Sequence, residues 1–119
     1  MRKLAGGGLL LVLLLLAPSL LEAQSFREGQ IVVLNSYPGN RTILYRSPDA
    51  FWECKREIEE FGRAGAKCLA AILTWTQNGE KARVLEDEAS YSGMVRVEML
   101  TGPQAGYRGW VICTFLQQE

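Results

Sequence analysis

Thr101-Gly102-Pro103-Gln104-Ala105-Gly106-Tyr107-Arg108-Gly109-Trp110-Val111 is the stretch whose reading decides the fold. Its three glycines and one proline mark a turn, because Gly adopts positive φ at no steric cost and Pro presets φ. Trp110-Val111-Ile112-Cys113 then forms a short apolar run of strand character, so the stretch reads as a turn feeding the closing strand of a small β-barrel. Immediately upstream, Met94-Val95-Arg96-Val97-Glu98-Met99-Leu100 alternates apolar and polar residues, the period of a half-buried strand. Before it, Ala82-Arg83-Val84-Leu85 reads as a further strand and Glu86-Asp87-Glu88-Ala89-Ser90 as a polar, acidic loop. Asn78-Gly79 suits a two-residue hairpin turn, which would make Ala82–Leu85 the return strand of Ile72-Leu73-Thr74-Trp75-Thr76.

Closer to the N-terminus, Gly29–Asn35 is an apolar run of strand length, and Thr42–Arg46 resumes the extended pattern after the turn cluster Tyr37-Pro38-Gly39-Asn40. Ser47-Pro48-Asp49 then signals a helix start: an N-cap hydroxyl, a proline at the first helical position, and a carboxylate that complements the helix dipole. Phe51, Cys54, Ile58 and Phe61 recur three or four residues apart and make one apolar face. Glu53, Lys55, Arg56, Glu57, Glu59 and Glu60 make the solvated remainder, and Gly62 and Gly65 end the helix. Ala66–Ala71 has helical propensity before the strand at Ile72. The expected fold is therefore mainly β, a small barrel of five or six short strands with one helical insertion at about 48–72, α+β by content.

The chain opens with Arg2 and Lys3, a leucine-rich run from Leu9 to Ala17, and Pro18-Ser19-Leu20-Leu21-Glu22-Ala23. This run is shorter than the roughly 20 apolar residues of a bilayer span, and its flanks are those of a secretory signal peptide. Residues 1–23 are expected to be removed after Ala23, with Ser19 and Ser25 as alternative sites, leaving 24–119 as one secreted or periplasmic domain with no membrane span. That domain has 96 residues, 11 Lys plus Arg and 12 Asp plus Glu, so its formal charge of −1 gives no electrostatic basis for nucleic-acid binding. Export permits a disulfide, and Cys54 with Cys68 is the favoured pair, Cys68 with Cys113 the competitor. The chain has no His and no Cys-x-x-Cys spacing, so neither a zinc site nor another cofactor is expected.

With the strands placed, Ile31 to Leu116 resembles the Src-homology-3-like barrels of secreted bacterial proteins. Four patches carry the likeness: Ile43-Leu44-Tyr45, Gly79–Glu86, Gly93-Met94-Val95-Arg96-Val97, and Gly109-Trp110-Val111-Ile112-Cys113-Thr114-Phe115-Leu116. Bacterial members of this kind often carry a helical segment in the first long loop, where residues 48–72 fall. The resemblance implies a binding module rather than an enzyme. In the signalling members a proline-peptide groove is lined by aromatic residues and a proline. Here Gly93 and Met94 stand near the place of the two tryptophans, and Ile112 and Phe115 replace the groove proline and tyrosine, which argues against polyproline ligands. Tyr45 is the surviving groove aromatic.

The candidate ligand contacts are Tyr45, Tyr91, Tyr107, Arg108 and Trp110. Tyr91 and Tyr107 fall in loops, where exposed rings flanked by Arg108 can meet a peptide or glycan, whereas Trp110 is either a platform or packing over the barrel end. Asn40-Arg41-Thr42 matches a glycosylation acceptor, which is silent in a bacterial source. No catalytic residue is expected: no serine sits in an elbow motif, and Cys113 lacks a His partner. The functional expectation is a non-catalytic exported module that recognises a cell-wall peptide or an envelope protein. The alternative is a structural or assembly subunit of an envelope complex, dimeric through the leftover cysteine or the acidic helix.

Overall fold

The computed structural model describes residues 25–119, so the signal peptide expected over residues 1–23 lies outside the described residues. Seven strands form a single antiparallel sheet: β1 (Ile31–Leu34), β2 (Arg41–Tyr45), β3 (Ile72–Gln77), β4 (Lys81–Glu88), β5 (Met94–Met99), β6 (Arg108–Ile112) and β7 (Leu116–Gln118). Their order is β3-β2-β6-β5-β4-β1-β7. The fold is thus mainly β, as expected, but it is a seven-stranded open sheet and not a closed barrel of five or six strands. Two local features account for this. β3 pairs with β2 alone and so leaves an open edge. The final apolar run is split by a 3-10 turn at Cys113–Phe115, which adds β7 as a seventh strand paired with β1.

Asn78-Gly79 is a turn but does not close a hairpin, since β3 pairs with β2 while β4 pairs with β1 and β5. The side chain of Asn78 is committed elsewhere. Its Oδ1 accepts from the Ser36 amide at 3.1 Å and its Nδ2 donates to the Gly39 carbonyl at 2.7 Å. Gly79, at φ +93°, donates its N–H to the Leu34 carbonyl at 2.8 Å, which docks the turn on the end of β1. Likewise Glu86, Asp87 and Glu88 belong to β4 rather than to a loop. They pair in register with Arg96, Val95 and Met94, and Arg96 bonds the Glu86 carboxylate at 3.1 Å.

Alternation along the strands builds two cores. Val32, Leu34, Leu44, Val84, Val95, Val97, Met99 and Val111 point into the main one. The opposite faces of β2, β5 and β6 present Tyr45, Met94, Trp110 and Ile112 to the helical insertion, whose own Cys54, Cys68 and Ala71 complete the second core. Two helices fill the expected insertion, α1 (Pro48–Phe61) and α2 (Ala66–Ala71). Ser47 caps α1 by accepting from the Ala50 amide at 3.1 Å, Pro48 stands in its first turn, and Gly62 ends it at φ 74°. The disulfide joins Cys54 to Cys68, so it staples α1 to α2 and leaves Cys113 as the free thiol.

Helix α2 has six residues and no capping side chain of its own at its start. Glu57 of α1 supplies the acceptor: its carboxylate takes the amides of Gly65 at 2.7 Å, Lys67 at 3.3 Å and Cys68 at 3.3 Å. Desolvation alone would push this carboxyl up, but the three N–H donors and the charge of Lys67 outweigh it and hold its pKa below the ordinary value. A carboxyl depressed in the folded state contributes stability that is complete above its unfolded pKa and is lost as pH falls through the folded one. Amide protection in α2 should therefore decline as the medium is acidified below the ordinary glutamate range. Glu57→Gln should flatten that decline, which hydrogen exchange corrected for intrinsic rates will read. An unchanged pH dependence in Glu57→Gln would assign the acid sensitivity to another group.

Candidate functional site

The side chains of β2 that turn away from the main core are Arg41, Ile43 and Tyr45, at every second position. Trp75 on β3 lies opposite Ile43, and Trp110 on β6 lies opposite Tyr45. The helical insertion covers one half of this face, where the Phe51 ring meets Tyr45 edge-on at 4.9 Å between centroids. The other half is open. There Ser36, Gly39, Arg41, Ile43, Tyr45, Trp75, Ile112 and Phe115 line a groove of about 240 Å³. Three aromatic side chains thus converge from β2, β3 and the 3-10 turn, the mixture of apolar wall and few polar groups that suits a ligand cleft.

The polar margin of the groove is organised from below. Ser36 Oγ donates to the Arg41 carbonyl at 2.6 Å, and Thr76 Oγ1 donates to the Thr42 carbonyl at 3.0 Å in the buried layer. The Arg41 guanidinium lies over the Trp75 ring, 4.6 Å from its centroid. Tyr45 is 9% exposed, and burial pushes its phenol above the ordinary value, so the hydroxyl stays protonated at neutral pH. Among the described residues that hydroxyl has no hydrogen-bond partner, and no buried side-chain oxygen or nitrogen is left unsatisfied, so it keeps contact with solvent.

Of the ligand contacts expected from the sequence, Tyr45 lies in this groove, and Trp110 is half-buried against the second core beside it. The exposed pair Tyr91 and Tyr107 is not brought together. Tyr91, 88% exposed, precedes β5, whereas the Tyr107 carbonyl accepts from Met99 at its far end, and six strand residues separate the two by roughly 20 Å. Arg108, beside Tyr107, pairs with Glu98 at 3.6 Å. Tyr91 instead borders a broader hollow of about 520 Å³ with Pro48, Asp49, Trp52, Glu88 and Ser92, where Trp52 Nε1 donates to the Ser92 carbonyl at 3.3 Å. Exposed polar groups dominate that hollow. The narrower groove has the apolar walls that can desolvate a ligand.

Sequence reasoning passed over Arg41, Ile43 and Trp75. The period of two in Arg41-Thr42-Ile43-Leu44-Tyr45 was a usable signal, since it groups Arg41 and Ile43 with Tyr45 on one face. Trp75 carried none, because its place follows from a pairing with β2 across more than 30 intervening residues. Cys113 is the free thiol among the described residues, and desolvation first, then the charge of Asp87, push it above the ordinary value. It stays a protonated, weak nucleophile at neutral pH. No family model, curated protein or solved structure matches this chain.

Proposed function

We propose that this chain is an exported, non-catalytic binding module of Src-homology-3-like build that holds a short extended peptide, from the cell wall or from an envelope protein, in the groove lined by Tyr45, Trp75 and Phe115. The observation that carries the reading is the groove itself: aromatic side chains from three elements around a narrow apolar slot. Support for the build comes from the placement of the four similar patches. They fall on β2, β4, β5 and the run from β6 to β7, with both helices inside the β2–β3 connection. Support for export comes from the Cys54–Cys68 disulfide together with the leader-like N-terminal sequence. Among the described residues no helix is long and apolar enough to cross a membrane. A disulfide-linked assembly subunit has less support, because Cys113 is half-buried and its thiol is pushed up.

The test is retention of the purified protein on isolated cell wall and on immobilised envelope proteins. Trp75→Ala is expected to weaken retention by about tenfold or more, as truncation of a central aromatic contact does. Tyr91→Ala should leave it unchanged. Retention lost with Tyr91→Ala and kept with Trp75→Ala would move the site to the hollow beside Trp52 and overturn the reading.

A further inference from the structure

The groove has one charged lining residue among the described residues, Arg41, and its surroundings leave that charge unanswered. Its guanidinium makes no ion pair and no hydrogen bond to any described residue, although Lys81, Arg96 and Arg108 each have a carboxylate partner. The side chain is nonetheless held in place. The Arg41 carbonyl is bonded by Ser36, and the guanidinium stacks on Trp75. Stacking on an indole face leaves the N–H donors at the guanidinium edge free, and their fork matches the two oxygens of a carboxylate. Arg41 also lines a second, more polar hollow with Tyr37, Pro38, Asn40 and Asn78, so a chain that runs from the slot into that hollow passes the guanidinium.

From this charge complementarity we infer that the groove selects a carboxylate-bearing peptide, in which an apolar residue fills the slot between Tyr45 and Phe115 and an adjacent carboxylate is clamped by Arg41. The inference rests on the groove proposed above as the binding site and adds the chemistry of its ligand. The carboxylate is supplied by an Asp or Glu side chain or by a free C-terminus, and both satisfy the same fork. The domain's formal charge of −1 gives no long-range attraction for such a ligand, so the selectivity is local and depends on the stacked arginine.

The test is a titration of the isotopically labelled exported protein, followed at the backbone amides of Arg41, Ile43 and Trp75. Three probes are used: acetyl-Ala-Ile-Asp-amide, acetyl-Ala-Ile with a free C-terminal carboxylate, and the neutral acetyl-Ala-Ile-Asn-amide. At least one of the first two is expected to bind about tenfold or more tightly than the third, the difference between charge-assisted and neutral hydrogen bonds. Which one does so identifies the source of the carboxylate. Arg41→Gln should bring all three to the affinity of the neutral peptide, while Arg41→Lys should keep part of the preference because the charge survives without the fork. Arg41 is exposed, so a wild-type melting curve for Arg41→Gln will show that the loss is not one of folding. Equal binding of the neutral peptide, or a preference that survives Arg41→Gln, overturns the carboxylate clamp and leaves the groove standing. Groove amides that none of the three peptides shifts would overturn the clamp and the groove together.

Discussion

Leu44→Ala is expected to lower the melting temperature by about 15 °C or more, or to abolish folding at ambient temperature. Leu44 is fully buried at the point where β2 meets β6, and it faces Gly109. A Cβ at position 109 would stand 3.0 Å from the Leu44 Cβ, so the leucine occupies space that any other residue at 109 would contest. Truncation removes its buried methyl groups and leaves a cavity between two backbones that cannot collapse, because β2 and β6 are fixed by their partners β3 and β5. Such changes cost about 3–5 kcal/mol. A domain of this size has only about 5–15 kcal/mol in hand, and each lost kcal/mol lowers its melting temperature by roughly 4–8 °C. Thermal unfolding followed by circular dichroism checks the value, with Leu69→Ala as the control, since Leu69 is 78% exposed and its loss should be worth at most about 0.5 kcal/mol. A shift for Leu44→Ala no larger than the control's would remove Leu44 from the core.

The contrast between Leu44 and Trp75 also explains what could be read from the chain. Local signals were legible wherever one element decides its own form: the cap at Ser47, the stop at Gly62, the change from helix to strand at Ile72, and the alternation of β5. Pairing was less so. Asn78-Gly79 has the residues of a hairpin turn, but its outcome depended on whether Asn78 found partners on the β1–β2 loop, which lies more than 35 residues away in sequence. The acidic run Glu86-Asp87-Glu88 looks like loop by composition, yet it sits at the half-solvated end of a strand where Arg96 offers a cross-strand partner. The site followed the same rule. The face that Tyr45 shares with Arg41 and Ile43 is marked by its own strand, whereas Tyr91 and Tyr107 stand in loops at opposite ends of β5, which have no local reason to meet.

Removing the disulfide should have a graded effect that begins in the helical insertion. Cys54 and Cys68 are 14 residues apart, and closing such a loop is worth about 3 kcal/mol in the chain-entropy account. Besides the bridge, the insertion is held by its share of the second core and by the Glu57 cap. Helix α2 is far below the length at which an isolated helix is stable, and the exposed side chains of Phe61 and Leu69 show that the distal parts of α1 and α2 bury little apolar surface. In the Cys54→Ser/Cys68→Ser protein, amide protection in α1 and α2 is therefore expected to fall roughly 100-fold, more than in β4 and β5, whose ladder is independent of the bridge. Hydrogen exchange resolved by residue measures the difference, and a uniform loss across the sheet would instead make insertion and sheet one cooperative unit. The consequence reaches the groove through Tyr45, which is packed by Phe51 of α1 on one side and lines the groove on the other. Once α1 loosens, Tyr45 loses the contact that fixes its ring, and peptide binding should weaken at temperatures where the sheet is still intact. Full affinity in the serine double variant would show that the groove is set by the sheet alone and that the insertion does not position it.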